Sequence, residues 1–455
     1  MQQRDQILNQ LSTIVKPEQI SAWDDIETPW QRQLLRGMVA DSTPAGVVYP
    51  RTQAELAELI TCAHQENWRV LPCGRGSKLH WGGLASGVDV VVSTERLAQV
   101  IDHAVGDLTV TVEAGCSFSA LQKTLAPSKQ QLAIDPSYGD RATIGGVVAT
   151  ADTGFLRQRY GGVRDRVIGI SVVRADGQLT KAGGQVVKNV AGYDLMKLFT
   201  GSWGSLGIIS QLTLRLYPVA ETAKTVCLSG SGTAIQTVAA QLFASSLTPT
   251  AFAVVLPPTM ATLMPILPIA HRNIPAPPPQ SNWLTLVVRF QSIDVSVDQQ
   301  SEQLIQWGKG NGLIGEVLDG ATELALWQQL GAQRSQAPSP SVVTCKLGVL
   351  PAQAVPMLEW LNHHYPPTHG WINGGSGLGW LYGDAEDLSI AAVEKIRQRC
   401  QSFNGFLSVL AAPSPWKQTL DLWGYQGQAL GLMQRLKHQF DPQHQLSPGR
   451  FIPGL

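Results

Sequence analysis

The residues best suited to chemistry are Pro72-Cys73-Gly74-Arg75-Gly76-Ser77-Lys78. A short strand, Arg69-Val70-Leu71, runs into them. A strand that ends in closely spaced glycines can turn several backbone N–H groups into one concavity, and such a nest binds phosphate or pyrophosphate. A plain tight turn has the same composition. Two dinucleotide alternatives fail on order. A Rossmann site needs G-x-G-x-x-G opening a helix, whereas residues 79–87 read as a loop followed by a strand. A Walker loop needs Gly-Lys-Ser/Thr, and the order here is Gly76-Ser77-Lys78.

A second tract, Ala142-Thr143-Ile144-Gly145-Gly146-Val147-Val148-Ala149-Thr150, is small and uncharged. Small side chains let backbone approach a flat ligand closely. Close packing of two strands would use the same residues. Two such tracts about seventy residues apart, framed by strands, favour one shared ligand. Among the cations, Arg75, Arg164, Lys188 and Arg450 could face a carboxylate or a reduced, anionic ring, although an exposed or ion-paired role is the ordinary fate of such groups. His363, His364 and His369 stand beside Pro366 and Pro367 and read as surface loop residues, not metal ligands.

The elements that must position these groups follow from pattern. Residues 1–44 read as a helical lead-in. Thr52-Gln53-Ala54-Glu55 is a capping box, with Leu56, Leu59, Ile60 and Ala63 behind it at helical spacing. Residues 88–92, 108–112, 167–174 and 205–216 read as strands by β-branched content, with a hairpin turn at Ala175-Asp176-Gly177-Gln178 and a helix at 117–125. Residues 220–430 alternate strand and helix around a proline-rich loop at 249–279 and a break at 336–340. A helix at 430–440 leads into the tail. No internal repeat is visible.

The chain has 455 residues, enough for two or three packed units. Its 34 basic and 34 acidic residues cancel, which argues against a polyanion partner such as nucleic acid. Only 15% of residues are charged, which fits a face covered by another chain or an apolar-rich core. The six cysteines form no C-x-x-C pair, so neither a cluster, a zinc site nor a disulfide framework is expected from this chain. No run approaches the ~18 apolar residues of a membrane span, and residues 1–20 lack a signal-peptide pattern. A cytoplasmic location is the expectation.

In their order along the chain, Pro72 to Lys78, Asp135-Pro136-Ser137, Ala142-Thr143-Ile144-Gly145-Gly146, Arg159-Tyr160-Gly161 and Gly204-Ser205-Leu206-Gly207-Ile208-Ile209 resemble the FAD domain of the vanillyl-alcohol oxidase, or PCMH-type, flavoproteins. Within that family, residues 187–195 (VKNVAGYDL) are similar to the FAD-binding subunit of bacterial glycolate oxidase. The tail, with Phe440-Asp441-Pro442 and Leu446-Ser447-Pro448-Gly449-Arg450, matches too, with Ser447 where the family usually has Asn. Residues 220–430 match loosely.

The resemblance implies an α+β fold. A two-lobed FAD-binding domain occupies 45–220, a second α/β domain at 221–430 caps the flavin, and a helical tail at 431–455 returns to the FAD domain. It implies that Cys73, Gly74, Arg75, Gly76, Ser77 and Lys78 cradle the pyrophosphate through backbone amides. Asp135, Pro136, Ser137, Thr143, Ile144, Gly145 and Gly146 would line the ribityl and pyrophosphate channel, and Gly207, Ile208 and Ile209 would cover a ring edge. Many relatives tether the flavin through a His near the first turn; here Lys78 ends the turn and His80 lies beyond it, so non-covalent FAD is expected. The hydroxyacid-oxidising members carry a His pair and a G-D-G-N-x-H segment. The nearest feature here, residues 373–380, has no His. The implied role is an FAD-holding subunit of a glycolate oxidase complex, with a paralogous FAD-containing subunit and an iron–sulfur subunit as partners. A stand-alone dehydrogenase and a non-catalytic scaffold are the alternatives.

Overall fold

The computed structural model describes residues 2–40, 42–184, 193–263, 265, 283–336 and 339–453. Residues 187–192 with Lys188, residues 266–279 of the proline-rich stretch, and Ala337-Pro338 lie outside them. The described part of that stretch is not the expected loop: it holds a strand, Ala251–Val255, and a helix, Pro257–Leu263, whose Thr259, Met260 and Leu263 are buried. The chain forms two units. One comprises Met1–Thr153, Gly162–Pro218 and Tyr425–Leu455; the other comprises Gly154–Gly161 and Val219–Gly424.

The first unit is built on two sheets. In one, β1 (Ile20–Ala22), β2 (Gly46–Val48), β3 (Val70–Cys73) and β4 (Val90–Ser93) lie in the order β1-β2-β4-β3. β2 and β3 both run parallel to β4, with Val70 opposite Val90 and Cys73 opposite Ser93. Parallel strands need a crossover, and the helix Gln53–Gln65 makes it between β2 and β3. The expected periodicity is realised: Leu56, Leu59, Ile60 and Ala63 are buried in one cluster with Val48, Val70, Val90 and Val92. The helix starts as Thr52 Oγ1 accepts from the Glu55 amide at 3.1 Å. The other half of the expected box is displaced by one residue, because the Glu55 carboxylate accepts from the Arg51 amide (2.7 Å) and from Gln19 Nε2 (2.7 Å).

The lead-in is not purely helical. β1 pairs antiparallel with β2, Ile20 opposite Val48, and covers an edge that would otherwise be open. Gly46 permits this approach, since a Cβ there would stand 2.3 Å from the Ser21 carbonyl oxygen.

The second sheet holds β5 (Val100–Ala104) and β6 (Thr109–Glu113). β7 (Gln130–Gln131) stands apart from it. β8 (Val167–Val173), β9 (Leu179–Gly183) and β10 (Ile208–Arg215) complete the sheet in the order β5-β6-β10-β8-β9. β11 (Tyr217–Pro218) pairs with β7 as a small ribbon. The hairpin between β8 and β9 turns where the sequence predicts, with Gly177 at φ +81°. The tail returns to this unit. Gln445 and Ser447 hydrogen-bond Val70 of β3 through their backbones at 2.8 and 3.0 Å. The buried Lys437 ammonium donates to Asp441 Oδ2 (2.5 Å) and to the carbonyls of Ser205 (2.8 Å) and Leu446 (3.1 Å).

The second unit is one antiparallel sheet of eight strands: β12 (Thr222–Ser231), β13 (Ala251–Val255), β14 (Trp283–Ser292), β15 (Ile314–Asp319), β16 (Val342–Gly348), β17 (His369–Asn373), β18 (Leu378–Asp384) and β19 (Phe406–Ala411). Their order is β15-β12-β14-β13-β17-β18-β16-β19. This is an internal repeat that the sequence does not show. Strands β12–β15 with helices Gly232–Phe243 and Asp294–Gly310 form a βαββαβ motif of order 4-1-3-2. Strands β16–β19 with helices Ala354–His364 and Ile390–Ser402 form a second one, written in reverse. The halves join where β13 meets β17, Val254 opposite Ile372, and share one apolar core.

Candidate functional site

The loop after β3 opens onto a cavity in the first unit. Its carbonyls are taken from outside. Thr94 Oγ1 donates to the Cys73 carbonyl (3.3 Å), Ser93 Oγ to that of Gly74 (3.0 Å), and Gln33 Nε2 to that of Arg75 (3.1 Å). The amides of Arg75, Gly76 and Ser77 have no partner among the described residues, and all three residues line the cavity. Consecutive free amides can form an anion nest. Gly76, at φ +68°, is pressed against Trp30 so closely that a Cβ would stand 2.5 Å from its ring. Trp30 and Gln33 belong to the lead-in, which carried no functional signal in the sequence.

The second tract forms the facing wall. It is a short helix, Ile144–Ala149, not a pair of strands, and Thr143 caps it by accepting from the Gly146 amide at 3.3 Å. Gly145 packs on Ala114, where a Cβ would stand 2.7 Å from the Ala114 methyl. A Cβ on Gly146 would meet only Thr143 Oγ1, at 3.1 Å, and otherwise open space. Thr143, Gly145, Gly146, Gly207, Ile208 and Ile209 all line the cavity together with Cys73 to Lys78. Trp203 lines it too, in a left-handed conformation (φ +56°), with its amide on the Ala149 carbonyl at 2.9 Å. A bulky residue held there is strained.

Asp135, Pro136, Ser137 and Ile144 are not among the lining residues. Ile144 is buried in the core. Ser137 instead grips Asp152, donating from its amide (2.8 Å) and hydroxyl (3.3 Å). Asp152 in turn pairs with the Lys78 ammonium at 3.0 Å, and both side chains are buried. Two expected site segments therefore meet through Asp152. Asp152 is the single charged residue between Ala142 and Leu156, and that isolation was the available signal. Next to this pair, His80 Nε2 lies 3.0 Å from the Tyr138 hydroxyl, and both rings are buried.

Cys73 is held as a neutral thiol. Burial, with Glu95 nearby, pushes it up to about 12. Arg450 corrects the sequence expectation of an exposed or ion-paired cation. It is 4% exposed, lines the cavity, and donates to the carbonyls of Leu79, Trp81, Gly83 and Gly37. Arg164 and Arg75 are exposed.

His363 and His364 are exposed at the end of the helix Ala354–His364, and His364 stacks on Trp360. His369 is not a loop residue. It begins β17 and stacks on Tyr382 at 5.0 Å, and burial lowers its pKa. Residues 374–377 make the turn between β17 and β18.

Residues 44–183 match the family described as FAD binding domain. Glycolate oxidase subunit GlcD of Bacillus subtilis (strain 168) is 33% identical over 185 residues, 41% of this chain and 39% of that protein. The matched segment thus spans well under half of that relative. Glycolate oxidase subunit GlcE of Escherichia coli (strain K12) is 26% identical over 407 residues, 88% of this chain and 97% of that one. The solved structure of p-cresol methylhydroxylase with substrate bound superposes with a TM-score of 0.76 at 14% identity, over 99% of this chain and 97% of that one. The chain carries an FAD binding domain at residues 44–183, and its fold is similar to that of p-cresol methylhydroxylase. The matched residues include both the glycine loop and the capped helix.

Proposed function

We propose that this chain is the FAD-holding subunit of a glycolate oxidase or dehydrogenase complex and relays electrons from oxidation of a 2-hydroxyacid. The reading is carried by a match to a glycolate oxidase subunit that runs along nearly all of both chains. The cavity residues fit the cofactor. Free amides at Arg75, Gly76 and Ser77 suit a pyrophosphate, and Gly146 leaves open the space that a flat ligand needs. In this reading Gly145, Gly146, Thr143 and Gly207 to Ile209 flank the cofactor by backbone. Ser137 acts from behind, fixing Asp152 and through it Lys78. FAD, when bound, supplies a two-electron acceptor. The chain's own groups orient it and exclude water. The neutral Cys73 thiol and the Tyr138-engaged His80 support a cofactor held without a covalent bond.

The partners in this reading are a paralogous FAD-containing subunit and an iron–sulfur subunit, in the cytoplasm. The six cysteines stand as separate free thiols, whereas a cluster takes four grouped thiolates. Among the described residues, no helix is long and apolar enough to cross a membrane. The test is glycolate-dependent dye reduction by the purified chain and by the chain co-expressed with the two partners. The reading expects negligible turnover alone and activity from a co-eluting three-chain complex. Robust turnover by the monomer would replace it with a stand-alone dehydrogenase.

A further inference from the structure

The first unit buries several cations, and they differ in how their charge is met. Lys78 has Asp152 and Lys437 has Asp441. Arg166 packs on the Tyr217 ring and is not part of the cavity wall. Arg450 lines the cavity, is 4% exposed, and pairs with no carboxylate among the described residues. Its guanidinium donates only to carbonyls: Nη1 to Leu79 (2.8 Å), Gly37 (3.1 Å) and Gly83 (3.2 Å), and Nη2 to Trp81 (2.8 Å). Carbonyl dipoles orient such a group, but they do not cancel its charge, and a buried charge without a counter-charge is costly. The cavity wall that Arg450 shares also carries the free amides of Arg75, Gly76 and Ser77. An anion in this cavity would have all four of these residues in its lining.

We propose that Arg450 is the fixed counter-charge for the cofactor's pyrophosphate, and that binding of this anion locks the C-terminal tail onto the unit. The inference rests on the FAD reading and extends it to the tail. Its second half follows from connectivity. The tail reaches Arg450 by running beside β3 through Gln445 and Ser447, and the glycine loop is the direct continuation of β3. An anion that bridges the loop amides and Arg450 ties both segments together. Linkage then requires that tail docking strengthens FAD binding and that FAD strengthens tail docking, by the same factor.

The test uses Arg450→Gln, which keeps two N–H donors for the carbonyls and removes the charge, and Arg450→Lys, which restores the charge. Affinity for FAD and for ADP is measured on the flavin-stripped full chain, together with the apo Tm and carboxypeptidase release of the tail. The expected result for Arg450→Gln is a 10- to 100-fold loss of affinity for both ligands. Arg450→Lys should recover part of the affinity, and FAD should slow tail digestion in the wild type but not in Arg450→Gln.

Unchanged FAD and ADP affinity in Arg450→Gln overturns the proposal, and so does a lowered apo Tm with affinity intact, which marks a structural strut. A shifted flavin potential with ADP affinity intact also overturns it, by moving the partner charge to the ring. If Arg450→Gln does not fold, the wild type decides: inorganic pyrophosphate should raise its apo Tm and protect the tail, and no effect of either kind overturns the proposal. Wild-type protein that binds neither FAD nor ADP removes the FAD reading itself, a distinct outcome.

Discussion

Gly74 and Thr143, sixty-nine positions apart, stand so close that a Cβ on the glycine would lie 2.1 Å from Thr143 Oγ1 and 2.8 Å from its methyl. The two tracts that form the cavity are thus in contact, and a hydrogen atom is the largest group that fits between them. Gly74→Ala forces the loop off the capped helix. We expect a loss of about 1–3 kcal/mol of stability, the usual range for overpacking, and weaker FAD retention. Denaturant unfolding and flavin content after gel filtration measure both. A variant with wild-type values for each would show that the two walls are not fixed against one another.

Asp152 neutralises Lys78 at 3.0 Å with both side chains out of solvent. Asp152→Asn removes the carboxylate that faces a buried ammonium, for which the expected cost is about 3–5 kcal/mol. Lys78→Met added to it removes the ammonium as well and should return much of that loss. Urea titration of the single and double variants reads the coupling. A single variant within about 0.5 kcal/mol of wild type would mean that the pair carries little.

How much of this was legible depends on range. The strands around the glycine loop, the helix after Thr52 and the hairpin at Gly177 are set by residues a few positions apart, and periodicity reports such neighbours. Lys78 with Asp152, Trp30 against Gly76, and Arg450 on Leu79 and Trp81 are pairings across tens to hundreds of positions. Nothing local marks them. The repeat in the second unit was hidden for a different reason. Its halves share strand order, not side chains: β12 reads TAKTVCLSGS and β16 reads VVTCKLG.

Ser447 sits at φ +48°, a conformation that suits Asn or Gly better than Ser. This gives a physical reason for the Asn usual at this place in the resembling family. Ser447→Asn should stabilise the protein, by roughly 0.5–1 kcal/mol if the left-handed penalty is relieved, and thermal unfolding would show the rise. A fall in Tm would mean that the neighbouring Gly204, whose Cβ would stand 3.1 Å from Ser447 Oγ, leaves no room for the larger amide.

In the second unit, burial raises the Cys227, Cys345 and Cys400 thiols to about 12. The unfolded thiol ionises near 8.5. Between these values the folded chain keeps protons that the unfolded chain has lost. Stability is therefore complete below about pH 8.5 and falls as pH rises toward 12, by about 1.4 kcal/mol per pH unit for each thiol. Unfolding midpoints at pH 8, 9 and 10 should decline, and Cys345→Ala should flatten the decline by one thiol's share. An unchanged slope in Cys345→Ala would show that this thiol is not protected from ionisation.

The central claim is that the cavity behind Gly74 and Gly146 holds FAD without a covalent bond. Acid precipitation of the purified chain, with flavin assayed in supernatant and pellet, tests it most directly, and Gly146→Val serves as the control because its side chain would fill the space left open for the cofactor. The account predicts yellow wild-type protein that releases one FAD per chain into the supernatant, and colourless Gly146→Val that stays folded. Flavin retained in the pellet, or a Gly146→Val variant that carries as much FAD as the wild type, would contradict it.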